Sequence, residues 1–302
     1  MSGAVGAQRP VRIGISGIAW DPADDRPVAD LLARFGVDAI DVAPSKYFPD
    51  PAAATDAELA RLRGWWADRG IEITGMQSLL FGTTGLNVFG PAEVQQALLD
   101  RLAAVFRVGA GLGAVRLVFG SPRNRDRTGL DDATALERGA GFFARAGDLA
   151  ASAGVQLMLE PNPTRYGANF MTTGAETAQV VRAVGHPAIG MQLDTGAAHL
   201  AGEDVEDLLA AHADLVGHVH LSDVDLAPLG GAQISQDRSD PGAEGSVDQC
   251  RAVRAISAHL PGRVSVIEML SPSPNTMPAI EQALRLATTL RDRAARGEVS
   301  PV

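Results

Sequence analysis

Cysteine is almost absent from this chain, and so are the long apolar runs that mark membrane proteins. The one cysteine, Cys250, excludes an internal disulfide framework and a cysteine-rich metal cluster. No apolar run reaches the ~18 residues that a membrane span needs. Residues 1–10 lack the charged start and the apolar stretch of a signal peptide. We therefore expect a cytoplasmic protein that does not enter a membrane.

Basic residues are also scarce relative to acidic ones. Lys plus Arg is 26 and Asp plus Glu is 36, which gives a formal net charge of −10. This balance argues against a nucleic-acid binder that relies on a broad basic surface. Over 302 residues, 46% are hydrophobic and 21% are charged, as in an ordinary globular protein with a large core. The expected partner is a small-molecule substrate.

Eight short runs of β-branched and apolar residues alternate with longer stretches of helical period. The runs are 11–16, 38–42, 71–76, 114–119, 155–160, 188–193, 216–221 and 264–269. Helices are expected at 27–35, about 55–69, about 92–110, 133–153, from near Gly174, from near Glu203, at about 247–259 and about 276–293. Strands that alternate with helices predict a parallel sheet. A count of eight favours a single (β/α)8 barrel over an open, doubly wound sheet.

The pattern continues without a break in composition, so one catalytic barrel domain is predicted over 11–295. The ends, 1–10 and 296–302, are predicted to be flexible. The longest loop, 223–246, is polar and rich in Gly, Pro and Asp. It follows the seventh strand, which would place it over the active-site face as a lid or an interface.

Polar residues end four consecutive strands of the predicted barrel. Glu160, Asp194, His220 and Glu268 each lie in or directly after an apolar run. A single carboxylate there is usually a helix cap or an ion-pair partner, but active sites of such barrels lie at these strand ends. Three converging carboxylates would repel one another unless a cation lay among them. Two Glu, one Asp and one His suit a hard to borderline ion. His218 shares the face of His220, where it either supports the site or packs below it.

Four segments carry a resemblance to a known superfamily. LMLEPNP (157–163), GMQLDTGAAH (190–199), GHVHLSDVD (217–225) and VIEML (266–270) resemble the xylose-isomerase-like TIM barrels. Within them, the chain resembles the sugar phosphate isomerase/epimerase type, which includes ketose 3-epimerases, hydroxypyruvate isomerases and inosose dehydratases. The resemblance covers about residues 11–293. It implies metal ligands at Glu160, Asp194, His220 and Glu268, with the two glutamates also serving as the acid/base pair.

The implied cofactor is one divalent ion, with Mn²⁺ ahead of Co²⁺ and Mg²⁺. The implied reaction moves a proton through an enediolate whose negative charge the metal stabilises. Epimerisation, aldose–ketose isomerisation and dehydration all fit this ligand set. We take a sugar isomerase or epimerase as the main hypothesis and a dehydratase (lyase) of a cyclitol or keto-sugar as the alternative. The resemblance leaves a homodimer and a homotetramer open.

Two further functions are remote. An apurinic endonuclease of this barrel type needs more histidine ligands, and the first four predicted strands contain none, because the six histidines are at 186, 199, 212, 218, 220 and 259. A non-catalytic sugar-binding barrel would not need the intact ligand set.

Further candidates for substrate binding come from the loops after the strands. They are Gln77, Arg123, Arg125, His199, Trp20, Tyr47, Asp223 and Arg238. Arginine forks favour carboxylate or phosphate groups, and the aromatic rings can stack on a sugar. The alternatives are ion pairs for the arginines and core packing for the rings. The stretch 78–90 after Gln77 is a candidate lid.

The chain departs from the ketose 3-epimerase pattern at two positions. In those enzymes a His three residues after the aspartate ligand and an Arg six residues after the histidine ligand hold the substrate. Ala197 and Leu226 occupy these positions here. His199 replaces the first only if the loop path differs. We therefore expect weak or no activity on free fructose, tagatose or psicose, and a preference for a modified, acidic or less hydroxylated carbonyl compound.

Overall fold

The computed structural model describes residues 11–230, 247–271 and 274–298. Eight parallel strands lie in sequence order around a closed barrel. They are β1 (Arg12–Ser16), β2 (Ala39–Val42), β3 (Glu72–Met76), β4 (Arg116–Phe119), β5 (Gln156–Leu159), β6 (Ile189–Asp194), β7 (Val216–Ser222) and β8 (Val264–Glu268). The prediction of a single (β/α)8 barrel is confirmed. The predicted flexible segment 1–10 and most of the 223–246 loop lie outside the described residues.

Helices surround the barrel in the described part of the chain. They are α1 (Asp25–Phe35), α2 (Asp56–Ala67), α3 (Ala92–Leu112), α4 (Asp132–Ala153), α5 (Gly174–Val184), α6 (Thr195–Leu200), α7 (Val205–His212), α8 (Gln249–His259) and α9 (Thr276–Ala295). None of the helices in 11–230, 247–271 and 274–298 has the length and apolarity that crossing a membrane would require.

The strands are short and almost wholly buried because helices cover one face and the barrel interior covers the other. In β6 every residue is buried, as expected for parallel strands rich in Ile, Leu and Met. Strand β1 closes the barrel by pairing with β8, with Ile15 opposite Ile267. At the N-terminal end, Arg12 makes ion pairs of 2.7 Å with Asp38 and Glu72, which tie β1 to the starts of β2 and β3.

Local sequence signals set the helix ends. Helix α2 begins after Thr55, whose hydroxyl and the side chain of Glu58 form a reciprocal capping box. Helix α4 begins after Asp131, which accepts a hydrogen bond from the Thr134 amide. It ends at Ala153 and is capped by Gly154, whose φ of +74° lies in the left-handed region that suits glycine.

One helix differs from the sequence-based expectation. The sequence predicts a single helix near Glu203, but α6 first follows β6 directly, and α7 comes after it. Asp194 caps α6, because its Oδ1 accepts a hydrogen bond of 2.6 Å from the Ala197 amide. The predicted ligand and the helix cap are therefore the same carboxylate, and α6 holds it at the C-terminal end of the barrel.

Candidate metal centre

The strand ends bring the four predicted ligands together. Glu160 follows β5, Asp194 ends β6, His220 lies in β7 and Glu268 ends β8. One ligand atom from each lies within 4.8 Å of the others, and all four residues are buried. The Nδ1 atom of His220 is 3.5 Å from Glu160 Oε1 and 3.2 Å from Glu268 Oε2. The barrel register places Asp194 beside His220.

The electrostatics of this cluster show an excess of buried negative charge. Burial and the charges on Glu268 and Glu160 raise the pKa of Asp194 well above its usual value. Burial opposes protonation of His220, but the neighbouring carboxylates, Glu268 foremost, raise its pKa well above the ordinary histidine value. Burial alone would raise the pKa of Glu268, and the adjacent His220 brings it below its usual value. A cation among these groups would relieve the same excess of negative charge.

The donor set fits a divalent cation. Among the described residues, Glu160 Oε1 and His220 Nε2 are buried without a hydrogen-bond partner. An orphaned buried carboxylate oxygen needs a compensating partner. Three carboxylates and one imidazole match hard to borderline ions, such as Mn²⁺, Co²⁺ and Mg²⁺, better than thiophilic ones.

Hydrogen bonds orient two of the carboxylates. Asp194 Oδ1 accepts from the Ser222 hydroxyl at 2.7 Å, in addition to the helix amide. The Ser222 hydroxyl in turn accepts from the Gly196 amide at 2.9 Å. The Gln77 amide donates to Glu268 Oε1. These hydrogen bonds therefore fix the orientation of the Asp194 and Glu268 carboxylates before a metal ion or a substrate binds.

A second buried group lies behind His220. His218 Nε2 is 2.6 Å from Asp41 Oδ2, and His220 Nε2 is 3.7 Å from the same oxygen. Burial would raise the pKa of Asp41, but the two imidazoles bring it below the ordinary range. Ligand atoms of these three residues also lie within 4.8 Å of one another. The arrangement places a carboxylate behind the imidazole of His220, a candidate metal ligand, and carboxylates are common in this position around metal-bound histidines.

The cluster opens into a cavity of about 1020 Å³ at the C-terminal end of the barrel. Its walls come from the segments that follow all eight strands. The predicted substrate-binding residues Gln77, Arg123 and Asp223 line it. Arg123 is exposed, whereas Asp223 is buried and accepts hydrogen bonds from the Gly230 and Val247 amides at 3.2 Å each.

Arg125 has a different place from the one predicted. It is fully buried, and its guanidinium donates to the Glu160 carbonyl and to Asn162 Oδ1, each at 2.7 Å. Burial lowers its pKa to about 10. Arg125 does not line the cavity. It joins the loop after β4 to the segment after β5, and so fixes the backbone that carries Glu160.

The two aromatic residues predicted to contact the substrate, Trp20 and Tyr47, also lie outside the cavity wall. The Trp20 indole and the Tyr47 hydroxyl each donate to Asp25 Oδ1 at 2.8 Å. These bonds direct both rings toward the start of α1, and neither ring lines the cavity that the described residues form. His199 is half-buried in the last turn of α6, also outside that lining. Arg238 lies outside the described residues.

Sequence reasoning missed several residues of this site. Lys46, the only lysine in the sequence, lines the cavity, but its ammonium donates to the carbonyls of Gly17, Ile18 and Trp20. The pattern of apolar runs indicates Asp41 only as part of a strand. The signal available for Asp41 was a carboxylate inside an otherwise apolar run, which is costly to bury without a partner.

The fold and this cluster define a (β/α)8 barrel with a candidate metal site at its strand ends. The chain belongs to the xylose isomerase-like TIM barrel family, whose sequence profile matches residues 29–290. No curated protein sequence matches it.

Solved structures with a similar fold include several sugar epimerases. An L-ribulose 3-epimerase aligns with a TM-score of 0.76 and 19% identity, over 95% of this chain and 96% of its own. The D-psicose 3-epimerase from Clostridium cellulolyticum H10 aligns with a TM-score of 0.71 and 16% identity, over 96% and 100%. A 3-keto-D-glucoside 4-epimerase from E. coli aligns with a TM-score of 0.70 and 16% identity, over 92% and 99%. These likenesses establish the fold.

Proposed function

We propose that this protein is a divalent-metal-dependent isomerase or epimerase of a sugar or a related polyhydroxylated carbonyl compound. The observation that carries the proposal is the buried cluster of Glu160, Asp194, His220 and Glu268, which would hold the ion. The bound ion would supply Lewis-acid stabilisation of negative charge on the substrate's oxygen atoms. We further propose Mn²⁺ as the preferred ion, on the chemistry of the donors, and a cytoplasmic location, on the scarcity of cysteine.

Glu160 and Glu268 are the proposed proton-transfer groups. They come from β5 and β8, and each carboxylate lies within 3.5 Å of His220 Nδ1. In epimerisation, one glutamate removes a proton from the carbon beside the carbonyl and the other returns a proton to the same carbon from the opposite side. In isomerisation, one glutamate or a water moves the proton between adjacent carbons, while the hydroxyl proton passes to the former carbonyl oxygen. Gln77 holds the carboxylate of Glu268 in place for this transfer.

Three cavity residues are the proposed substrate contacts. Gln77 and Asp223 are held close to the cluster, and the exposed guanidinium of Arg123 lies in the cavity wall. The names of the similar structures support a sugar substrate, since they include L-ribulose and D-psicose 3-epimerases and a 3-keto-D-glucoside 4-epimerase. Ala197 and Leu226, both in the cavity wall, offer no polar side chain to a sugar hydroxyl.

The experiment is solvent-hydrogen exchange. The purified protein, with its metal content measured by elemental analysis, is incubated in D2O with a panel of ketoses, keto-glycosides, inososes and keto acids. NMR then follows deuterium entering the carbon beside the carbonyl. We expect about one divalent ion per chain, loss of exchange with chelator, and exchange with at least one compound. Elimination of water instead of exchange would identify a dehydratase.

The variants Glu160→Gln and Glu268→Gln should each abolish exchange, because each loses a ligand charge and a proton-transfer group. Glu137→Gln, on the exposed face of α4, is the matched control and should exchange normally. If a metal-reconstituted Gln variant keeps near-normal exchange, that glutamate is not an acid/base group. Protein without stoichiometric metal whose exchange is indifferent to chelator would contradict the mechanism.

A further inference from the structure

Large apolar side chains that remain exposed are concentrated at the mouth of the cavity. Among the described residues, those most exposed are Phe81 (72%), Leu270 (52%), Val115 (44%) and Tyr166 (37%). Phe81, Tyr166 and Leu270 line the cavity, and Leu226 joins them in its wall. We call Phe81, Tyr166, Leu226 and Leu270 the apolar rim. Exposed apolar groups that cluster around an opening, rather than lying scattered, mark a surface that binds something.

The backbone that carries the rim is held in an unusual conformation. Asp225 and Leu226 are successive non-glycine residues with φ of +57° and +56°, in the left-handed region that a leucine rarely adopts. The Asp225 amide donates to the Tyr166 hydroxyl at 3.0 Å, and Arg165 forms an ion pair of 2.8 Å with Asp225. The Leu270 amide donates to the Leu226 carbonyl at 2.8 Å.

These contacts tie three of the four rim residues into one unit. Tyr166 is hydrogen-bonded to Asp225 and Leu270 is hydrogen-bonded to Leu226, the two residues with the strained backbone. Ser78 also has a backbone in the left-handed region, with φ of +55°, and it begins the segment that carries Phe81, the fourth residue of the apolar rim. Backbone strain that persists at a cavity mouth points to a functional requirement there.

We propose that the substrate is a polyhydroxylated carbonyl compound with a ring-sized apolar substituent, and that the apolar rim binds this substituent. The inference rests on the proposed function and names the class of substrate for the same site. The cavity has two chemically distinct ends. Its inner end holds the buried carboxylates of Glu160, Asp194 and Glu268. Its outer end holds the apolar rim, in which Leu226 is half-buried and the other three residues are exposed.

The size of the cavity favours a substrate larger than one sugar. A volume of about 1020 Å³ lies at the upper end of the ~300–1,000 Å³ typical of pockets for drug-sized ligands. A protein partner fits less well, because stable interfaces bury about 1,200–2,000 Å². The apolar rim offers only four apolar side chains, with the charged residues Lys46, Arg123 and Asp225 among them in the cavity wall.

Binding of two glycosides to the whole protein tests the proposal. Titration calorimetry compares the 3-keto derivatives of phenyl β-D-glucopyranoside and methyl β-D-glucopyranoside, which both carry a ring carbonyl and differ only in the apolar group. We expect the phenyl glycoside to bind about tenfold more tightly, the gain expected when an apolar ring leaves water. Phe81→Ala and Leu270→Ala should each weaken phenyl glycoside binding about three- to tenfold and leave methyl glycoside binding unchanged.

Val115→Ala is the matched control, because it also removes an exposed apolar side chain, but outside the cavity wall. It should leave both affinities unchanged. Equal affinity for the two glycosides, no binding of either, or a phenyl preference that survives both rim variants would overturn the proposal. A rim variant that instead dissociates an oligomer, seen by light scattering, would overturn it too and assign the rim to a second copy of the chain. Calorimetry needs no turnover, so failure here is distinct from failure of the exchange experiment.

Discussion

Gly120 occupies a position at which a side chain would collide with Glu160. It follows β4, whose Phe119 pairs with Leu159 of β5. A Cβ atom built on Gly120 would lie 1.8 Å from Glu160 Oε2 and 2.9 Å from its Cδ. Atoms cannot approach so closely, so the carboxylate would have to leave its place. The absence of a side chain at one residue therefore helps to set the geometry of the whole cluster.

Replacing Gly120 tests this directly. Gly120→Ala should weaken Mn²⁺ binding about 10- to 100-fold, the range typical of changes beside a metal ligand. Gly141→Ala is the matched control, because Gly141 lies exposed in α4 with open space around its Cβ position. Titration calorimetry with Mn²⁺ measures both variants. Unchanged Mn²⁺ affinity in Gly120→Ala would show that Glu160 has another position from which it can bind the ion.

The pairing of Asp41 with His218 is a long-range contact that local sequence patterns do not predict. The sequence separates the two residues by 177 positions, and they meet only because the barrel is closed. A Cβ on Gly75 would lie 2.6 Å from Asp41 Oδ1, so a glycine on the neighbouring strand makes room for the carboxylate. No local pattern in 38–42 or 216–221 indicates this pairing.

At the scale of elements, Arg125 connects two loops that carry the site. Its guanidinium reaches from the loop after β4 to the Glu160 carbonyl and Asn162. Arg125→Ala should lower the free energy of unfolding by about 1–3 kcal/mol, because it leaves buried acceptors unpaired. Arg123→Ala, two residues away and exposed, should change it by less than about 0.5 kcal/mol. Urea denaturation compares them, and equal effects would contradict the assigned role of Arg125.

The elements themselves were largely predictable, because each depends on local patterns. All eight strands lie within a residue or two of the predicted runs, since apolar runs between helical stretches define buried parallel strands. The four predicted ligands meet because strand ends of a barrel share one face. Short segments were less predictable. Helix α6 follows its strand with no loop, and Trp20 and Tyr47 turn toward Asp25 through side-chain hydrogen bonds that no spacing indicates.

At the scale of the whole molecule, the cluster makes the stability of the barrel depend on pH. Burial and the charges on Glu268 and Glu160 raise the pKa of Asp194, and the neighbouring carboxylates, Glu268 foremost, raise the pKa of His220 against the opposing effect of burial. A group whose pKa is raised by folding adds stability that is fully present below its unfolded value, about 3.9 for Asp and about 6.5 for His. That stability is lost as the pH rises through the folded value. Asp41, whose pKa is lowered, has the opposite sign and loses its contribution in acid.

A divalent ion should therefore stabilise the protein more as the pH rises. At low pH, protons bound to Asp194 and His220 offset the buried negative charge, and the ion must displace these protons to bind. At higher pH fewer protons are bound, so the ion binds with less competition. We expect the increase in Tm produced by Mn²⁺ to be larger at about pH 8 than at about pH 5. Scanning calorimetry of chelator-treated protein, with and without Mn²⁺ at each pH, measures the increase. The Asp194→Asn variant is the control, and its smaller increase should depend less on pH because one competing proton is gone. An increase in the native protein that is constant with pH, or largest in acid, would mean that the ion does not bind at these carboxylates.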